Sequence, residues 1–212
     1  MPDYPDLNPQ LPTRVDLVAR LDLMEAMIAE GREATARCGW IFVLWGIIDL
    51  VGIAVQRMYP QRIWNWPVVI SLGWLLQFAG FSWKRRRGEY SCRPNLKGRS
   101  MAAIWGMMGV TLSLYCVTGI FTHHGGGVAY LAAIFMIVGM AHATSAIILR
   151  WRAQGAVAAL WWAGGVAVFF LPLTRHWPET IFALEMLFGM VFFGLYMMFL
   201  ERRTPPGATL NA

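Results

Sequence analysis

The sequence predicts an all-α, polytopic membrane protein, with six transmembrane helices in one bundle and an amphipathic helix before them. Two observations lead to this prediction. Of the 212 residues, 57% are hydrophobic and only 14% are charged, whereas about 25% of residues are charged in ordinary soluble domains. Six apolar stretches without Lys or Arg are also long enough to cross the hydrocarbon core, which takes about 20 residues. These features exclude a disordered chain and a soluble globular domain.

The first element is an amphipathic helix inside a predicted cytoplasmic segment, residues 1–37. A helix start is expected at Thr13. After it, apolar side chains recur at helical spacing, at Leu17, Leu21, Met24 and Ile28. Three interpretations are left open: the helix docks on the cytoplasmic ends of the bundle, lies on the membrane, or pairs with a partner helix. The first two are favoured because the periodic stretch covers barely two heptads.

The six predicted spans follow, and a cytoplasmic tail, residues 201–212, ends the chain. The spans cover residues 38–56, 64–83, 101–121, 127–149, 155–173 and 179–200. Pro67 lies in the first turn of its span, where a missing N–H group is tolerated. Gly164 and Gly165 can loosen the fifth span, but no span is expected to be interrupted.

The basic residues predict the orientation of the spans. With the N-terminus inside, 15 of the 18 Lys and Arg residues lie on the cytoplasmic side. The positive-inside rule therefore places both termini in the cytoplasm. Seven of these bases lie in the single loop Lys84–Arg99.

This clustering of basic charge argues against nucleic acid as a partner, because the rest of the chain is electrically balanced. A basic loop beside a membrane instead predicts contact with anionic lipid headgroups. The candidate lipid or partner contacts are Lys84, Arg85, Arg86 and Arg87.

Four polar side chains at membrane depth form the candidate intramembrane site. Asp49 and Glu185 are each expected about 10 Å below the outer edge of their spans, where they could meet. His142 and Gln77 define a second polar layer nearer the cytoplasm. The two carboxyl groups could hydrogen-bond neighbouring helices in protonated form, share a proton, or hold a cation.

Metal and cofactor signals are weak. Three histidines in the outer loops are the only metal candidates, and their spacing matches no defined motif; they are His123, His124 and His176. A haem on His142 would need a second axial ligand that no spacing indicates. We therefore expect no cofactor.

The predicted function is that of a non-enzymatic membrane component that senses, scaffolds or binds a partner, which could be another protein or a second copy of the chain. It depends on the lack of any catalytic motif and on short loops that cannot hold a catalytic domain. The alternative is a small transporter or a proton or cation pathway that uses the intramembrane carboxyl groups. An enzyme with its site within the bilayer is a third, less favoured interpretation.

Two short stretches carry a family resemblance. They are GWIFVLWGIIDLVG (Gly39–Gly52) and AIWGMMG (Ala103–Gly109). The first, entered from an amphipathic helix, resembles the first span of a group of uncharacterised small bacterial multi-pass membrane proteins, which bears a Leu-Trp-Gly motif. The resemblance covers about a quarter of the chain. It implies a bacterial inner membrane and brings no activity or site, and Asp49 has no match in the family pattern.

Overall fold

A computed structural model describes residues 17–26, 38–60, 62, 64–87, 96–122, 127–170 and 177–203, without the side chains of 96–99. These residues form helices and no strand, which confirms the all-α prediction. Helix α1 covers residues 17–26. The others are α2 (Gly39–Met58), α3 (Asn65–Arg86), α4 (Leu96–Phe121), α5 (Val128–Leu149), α6 (Arg152–Phe170) and α7 (Trp177–Arg203).

Five of these helices are long and apolar enough to cross a membrane, namely α2, α4, α5, α6 and α7. Helix α3, which matches the second predicted span, has 22 residues and is long enough. It is more polar, because Asn65, Pro67 and Gln77 interrupt its apolar residues, and it is not among the five. That α3 also crosses the membrane stays a prediction.

The six long helices pack as a closed ring in the order α2, α7, α6, α5, α4 and α3, with α3 returning to α2. The most extensive contact is between α5 and α6. The apolar core lies inside this ring and includes Phe42, Phe135, Trp161, Phe193 and Met197. Few residues of α3 and α4 are buried, and their exposed side chains include the large apolar residues Leu75, Phe78, Met107 and Leu114.

Helices α2 and α7 approach each other closely because glycines lie at their crossing. A Cβ atom placed on Gly39 would lie 2.7 Å from the carbonyl oxygen of Gly194, so the two backbones touch. A Cβ atom on Gly46 would lie 2.6 Å from a methyl carbon of Val191. Small residues of this kind allow membrane helices to pack backbone to backbone, where side-chain volume would separate them.

Elsewhere in the bundle, tryptophan rings lie against glycines of a neighbouring helix. On Gly73, for example, an added Cβ atom would lie 2.8 Å from the Trp45 ring. Within the described residues the pairs are Trp45–Gly73, Trp40–Gly80, Trp66–Gly52, Trp74–Gly109, Trp162–Gly139 and Trp161–Gly189. We call these the indole–glycine contacts. A large flat ring fits where the facing helix has no side chain, so each contact fixes the register of two helices.

The α5–α6 hairpin has a tight connection. Helix α5 ends in a Schellman motif, in which the Trp151 amide donates to the Ala146 carbonyl at 3.0 Å and the Arg150 amide donates to the Ile147 carbonyl at 3.3 Å. Arg150 has a φ of 49°, in the left-handed region that this motif requires. The hairpin aligns Gly139 with Trp162 and Ala146 with Gly155.

Helix α7 contains a π-helical segment, Met186–Phe192, between two α-helical parts, Trp177–Glu185 and Phe193–Arg203. The helix is nevertheless continuous from Trp177 to Arg203, long enough for one span. A π segment adds a residue to the turn and shifts the helical face that follows it, and such segments are frequent at functional sites.

Helix α1 does not bury its apolar side chains in the bundle. Leu17, Leu21 and Met24 are 48%, 60% and 55% exposed. Of the three interpretations of this helix, docking on the cytoplasmic ends of the bundle has no support in the described residues, 17–26.

Candidate functional site

Asp49 and Glu185 lie at similar depth but face different neighbours. Gly46 of α2 lies against Met190 and Val191 of α7, so Asp49, one turn further along α2, is level with the stretch just after Glu185. Glu185 points to α6, where an added Cβ atom on Gly164 would collide with its carboxyl group. No hydrogen bond joins the two carboxyl groups in the described part of the chain.

Asp49 lies within electrostatic range of Cys116 of α4. The Tyr130 hydroxyl group of α5 donates a hydrogen bond to the Cys116 sulfur. The Tyr130 ring also stacks on Tyr115 at a centroid distance of 4.7 Å. Asp49 is only partly buried in this group, whereas Glu185 is 5% exposed. The two carboxyl groups therefore belong to separate environments.

His142 lies near the centre of the ring of helices and is fully buried. Three aromatic rings surround it: Trp105 of α4 at a centroid distance of 4.8 Å, Phe193 of α7 at 5.5 Å and Phe42 of α2 at 5.7 Å. Neither ring nitrogen of His142 has a hydrogen-bond partner among the described residues. The aromatic cage fixes the imidazole in place without satisfying its polar atoms.

Four further buried side chains of α5, α6 and α7 share this property. Polar atoms without a hydrogen-bond partner in the described chain also occur on Ser145, Gln154, Trp161 and Glu185. The first three side chains are completely buried. We call these residues, together with His142, the polar column.

Leaving such atoms unsatisfied is unfavourable. Each buried donor or acceptor without a partner costs roughly 1–3 kcal/mol of stability. The surrounding lipid chains hold no water that could hydrogen-bond these atoms. Since native proteins satisfy nearly all buried polar groups, this cluster makes the polar column a candidate functional site of the described chain.

Gln77 and His142 lie on different sides of α2 and do not contact each other. Its side-chain oxygen accepts a hydrogen bond of 2.6 Å from the Trp45 indole nitrogen, at the contact between α2 and α3. His142 lies on the other side of α2, beside Phe42. Gln77 thus joins α2 to α3, whereas His142 lies with Ser145 and Gln154 among the buried polar side chains of α5 and α6.

The basic end of α3 is described as far as Arg87. The Lys84 ammonium group lies 5.6 Å from the centroid of a Trp40 ring, and the Arg87 guanidinium group lies 3.9 Å from that of Trp83. Both distances fit cation–π contacts. Arg85 and Arg86 are exposed, so all four candidate bases remain near the surface of the bundle end.

The three metal candidates, His123, His124 and His176, lie outside the described residues. Within the described part, no group of three or more His, Cys, Asp or Glu side chains could hold a metal ion.

Ser145, Gln154 and Trp161 were not identified as site residues from the sequence. The hydropathy pattern placed Gln154 just before the fifth span, whereas α6 begins at Arg152 and carries Gln154 into the core. A signal was present: Gln154, Ala158, Trp161, Gly165 and Val168 recur at helical spacing and form the buried stripe of α6.

No protein-family model, curated protein or solved structure matches this chain. The resemblance of its first span to the small bacterial membrane proteins with a Leu-Trp-Gly motif therefore stays a prediction.

Proposed function

We propose that the chain is a non-enzymatic component of a bacterial inner membrane, with both termini in the cytoplasm. In this proposal its cytoplasmic end binds the anionic membrane surface. The observation that carries it is the set of exposed apolar side chains on α1, a helix that the chain connects to a bundle end rich in basic residues. A protein partner at the same surface is the other possible occupant.

The two ends of the bundle differ in charge. The end where α2 begins and α3 ends carries Lys84, Arg85, Arg86, Arg87, Arg150, Arg152, Arg202 and Arg203. At the opposite end the described bases are Arg57 and Arg62, and Arg57 is paired with Glu179 at 2.9 Å. This asymmetry supports the proposed orientation through the positive-inside rule. It also supports attraction to anionic lipids.

Helix α1 is joined to this basic end by eleven residues, 27–37. Its described part carries one base, Arg20, and two acids, Asp22 and Glu25. Its own attraction to lipid would therefore come from burial of apolar side chains, and the bases of the bundle end would supply the electrostatic attraction.

Depth-dependent fluorescence quenching tests this proposal. The full-length protein is reconstituted in vesicles with a fluorophore on Met24→Cys, on the apolar face, or on the matched control Asp22→Cys, on the opposite face. Lipids brominated in the acyl chains should quench the fluorophore on residue 24 much more strongly than the fluorophore on residue 22. The difference should increase as the fraction of anionic lipid is raised. Equal, weak quenching at both positions would contradict lipid binding.

Co-purification distinguishes the protein partner from the lipid surface. A protein that accompanies the full chain but not a chain lacking residues 1–36, with no quenching at residue 24, would assign α1 to partner binding instead.

A second candidate function is a proton or small-cation pathway, and the polar column with Glu185 is the observation that favours it. Neutralising both intramembrane carboxyl groups, in the double variant Asp49→Asn and Glu185→Gln, should reduce ion flux in proteoliposomes. An ion flux in the double variant equal to that of the wild-type protein would reject this candidate.

A further inference from the structure

We infer that the polar column binds a file of water molecules between α5, α6 and α7, and that this file carries protons along the bundle axis, with Glu185 and His142 as the groups that take up and release them. The inference rests on the second candidate function and names its substrate and route. Its basis is the set of buried, unpartnered polar atoms that the three helices present to the interior of the ring.

The members of the column follow one another along the bundle axis. Glu185 lies against Gly164, and Trp161, three residues along α6, lies against Gly189. The hairpin register places His142 level with position 159 and Ser145 level with position 156. Gln154 completes the series at the end of the bundle where α6 begins.

The axial steps in this series are two or three residues of α6, which is roughly 3–5 Å at 1.5 Å per residue. The unpartnered atoms of the column make no direct hydrogen bond to one another in the described chain, and bridging water molecules would join polar groups spaced in this way. The whole column covers roughly 15 Å, about half of the hydrocarbon thickness.

The chemistry of the column matches water better than a metal ion or an apolar ligand. The Trp161 indole nitrogen only donates, Glu185 Oε2 accepts when ionised, and His142, Ser145 and Gln154 each offer a donor and an acceptor. A metal ion would leave the donors unsatisfied, and an apolar molecule would satisfy none of the atoms. A water molecule donates and accepts together and needs two to four polar partners, which the column supplies.

In proton transfer along such a file, each group that gains a proton on one side releases a proton on the other side. A proton that reaches one ring nitrogen of His142 forms an N–H bond while the other nitrogen releases its proton to the next water molecule. Glu185 takes up and releases a proton at its carboxyl oxygen in the same way. Toward His142 the helices α2, α4 and α7 present the aromatic rings of Phe42, Trp105 and Phe193.

Hydroxyl-radical footprinting with X-ray pulses tests the presence of the water file, because bound water is the source of the radical inside a protein. In the purified full-length protein, His142 and Trp161 should be modified well above Phe135 and Met197, which are equally buried, after each rate is divided by the intrinsic reactivity of the side chain. Modification of all four residues at the same low rate would overturn the inference.

Proton flux in proteoliposomes, followed with an enclosed pH-sensitive dye, tests the route. Glu185→Gln and His142→Leu should each lower the flux at least tenfold, and the milder Ser145→Ala should lower it several-fold. The matched control is Ser113→Ala, which removes a hydroxyl group bonded to Trp74 at the α3–α4 contact, outside the column. Its flux should stay within twofold of the wild-type value, and thermal unfolding should show that all variants are folded.

The outcomes separate the route from the function. Flux that falls in Asp49→Asn but not in Glu185→Gln would overturn the column as the route while the pathway function stands. No flux from the wild-type chain would overturn the pathway function, and with it proton transfer through the column, even if footprinting detects water there.

Discussion

The Trp45 indole group of α2 donates a hydrogen bond of 2.6 Å to the side-chain oxygen of Gln77 on α3. The indole ring also lies against Gly73, one turn before Gln77 on α3. The next residue, Gly46, turns to the opposite side and lies against Val191 of α7. The Leu-Trp-Gly motif of the first span thus joins α2 to two helices at once, α3 through the indole group and α7 through the glycine.

Removal of the Gln77 amide group should destabilise the bundle. In Gln77→Met the Trp45 N–H group loses its acceptor in an apolar setting, and we expect a loss of about 1 kcal/mol in the free energy of unfolding. Reversible unfolding in mixed micelles measures it. In a double-mutant cycle, the variant with both Trp45→Phe and Gln77→Met should lose less free energy of unfolding than the two single variants lose in sum. Additive losses would contradict a direct hydrogen bond.

The α2–α7 crossing should not tolerate added volume. In Gly46→Ala the new methyl group would lie 2.6 Å from the Val191 side chain, so the helices must separate. We expect destabilisation of about 1–3 kcal/mol. Gly106→Ala is the matched control, because no atom lies within 4 Å of the added carbon there. It should be neutral or slightly stabilising, and an equal loss in both variants would refute the close crossing.

The ion pair between Arg57 and Glu179 should contribute little. Its nitrogen–oxygen distance is 2.9 Å, but the two side chains are 49% and 44% exposed. Exposed pairs contribute about 0.2–1 kcal/mol and are screened by salt. A double-mutant cycle with Arg57→Ala and Glu179→Ala should therefore give a small coupling energy at low salt that disappears near 1 M. A large, salt-independent coupling energy would indicate a buried pair.

Cysteine labelling should report both termini on the cytoplasmic side. Arg87→Cys and Arg203→Cys are placed at one end of the bundle and Met58→Cys at the other, in a chain whose three native cysteines are replaced. An impermeant maleimide added to intact cells should react with the cysteine at position 58 alone, and with the other two only after permeabilisation. The reverse pattern would invert the proposed orientation.

The sequence predicts the helices well because apolar length is a local property. The predicted span 127–149 differs by one residue from α5, Val128–Leu149. Glycines beside polar residues also indicated interior faces, as Gly139 beside His142 shows. Spacing on one helix cannot say which neighbour each glycine meets: Gly46 contacts α7, whereas Gly52, on the same predicted face, contacts Trp66 of α3.

The expectation that Asp49 and Glu185 could meet shows that similar depth does not establish contact between two side chains. Residue counting predicted their similar depth, but the direction of each side chain depends on how its helix is rotated in the ring. For Glu185 this rotation follows from Gly164 on another helix. The π-helical segment that begins at Met186 was equally hidden, because an apolar stretch has the same composition whether its turns are α-helical or π-helical.

The indole–glycine contacts have a consequence for the evolution of this chain. Each contact pairs the largest side chain with the smallest across two different helices, so neither member can change alone without opening a gap or forcing a collision. Among orthologues, a bulkier residue in place of Gly73 or Gly80 should therefore be accompanied by a smaller aromatic or aliphatic residue in place of Trp45 or Trp40. Such compensating exchanges would leave a covariation signal that traces the neighbours around the helical ring.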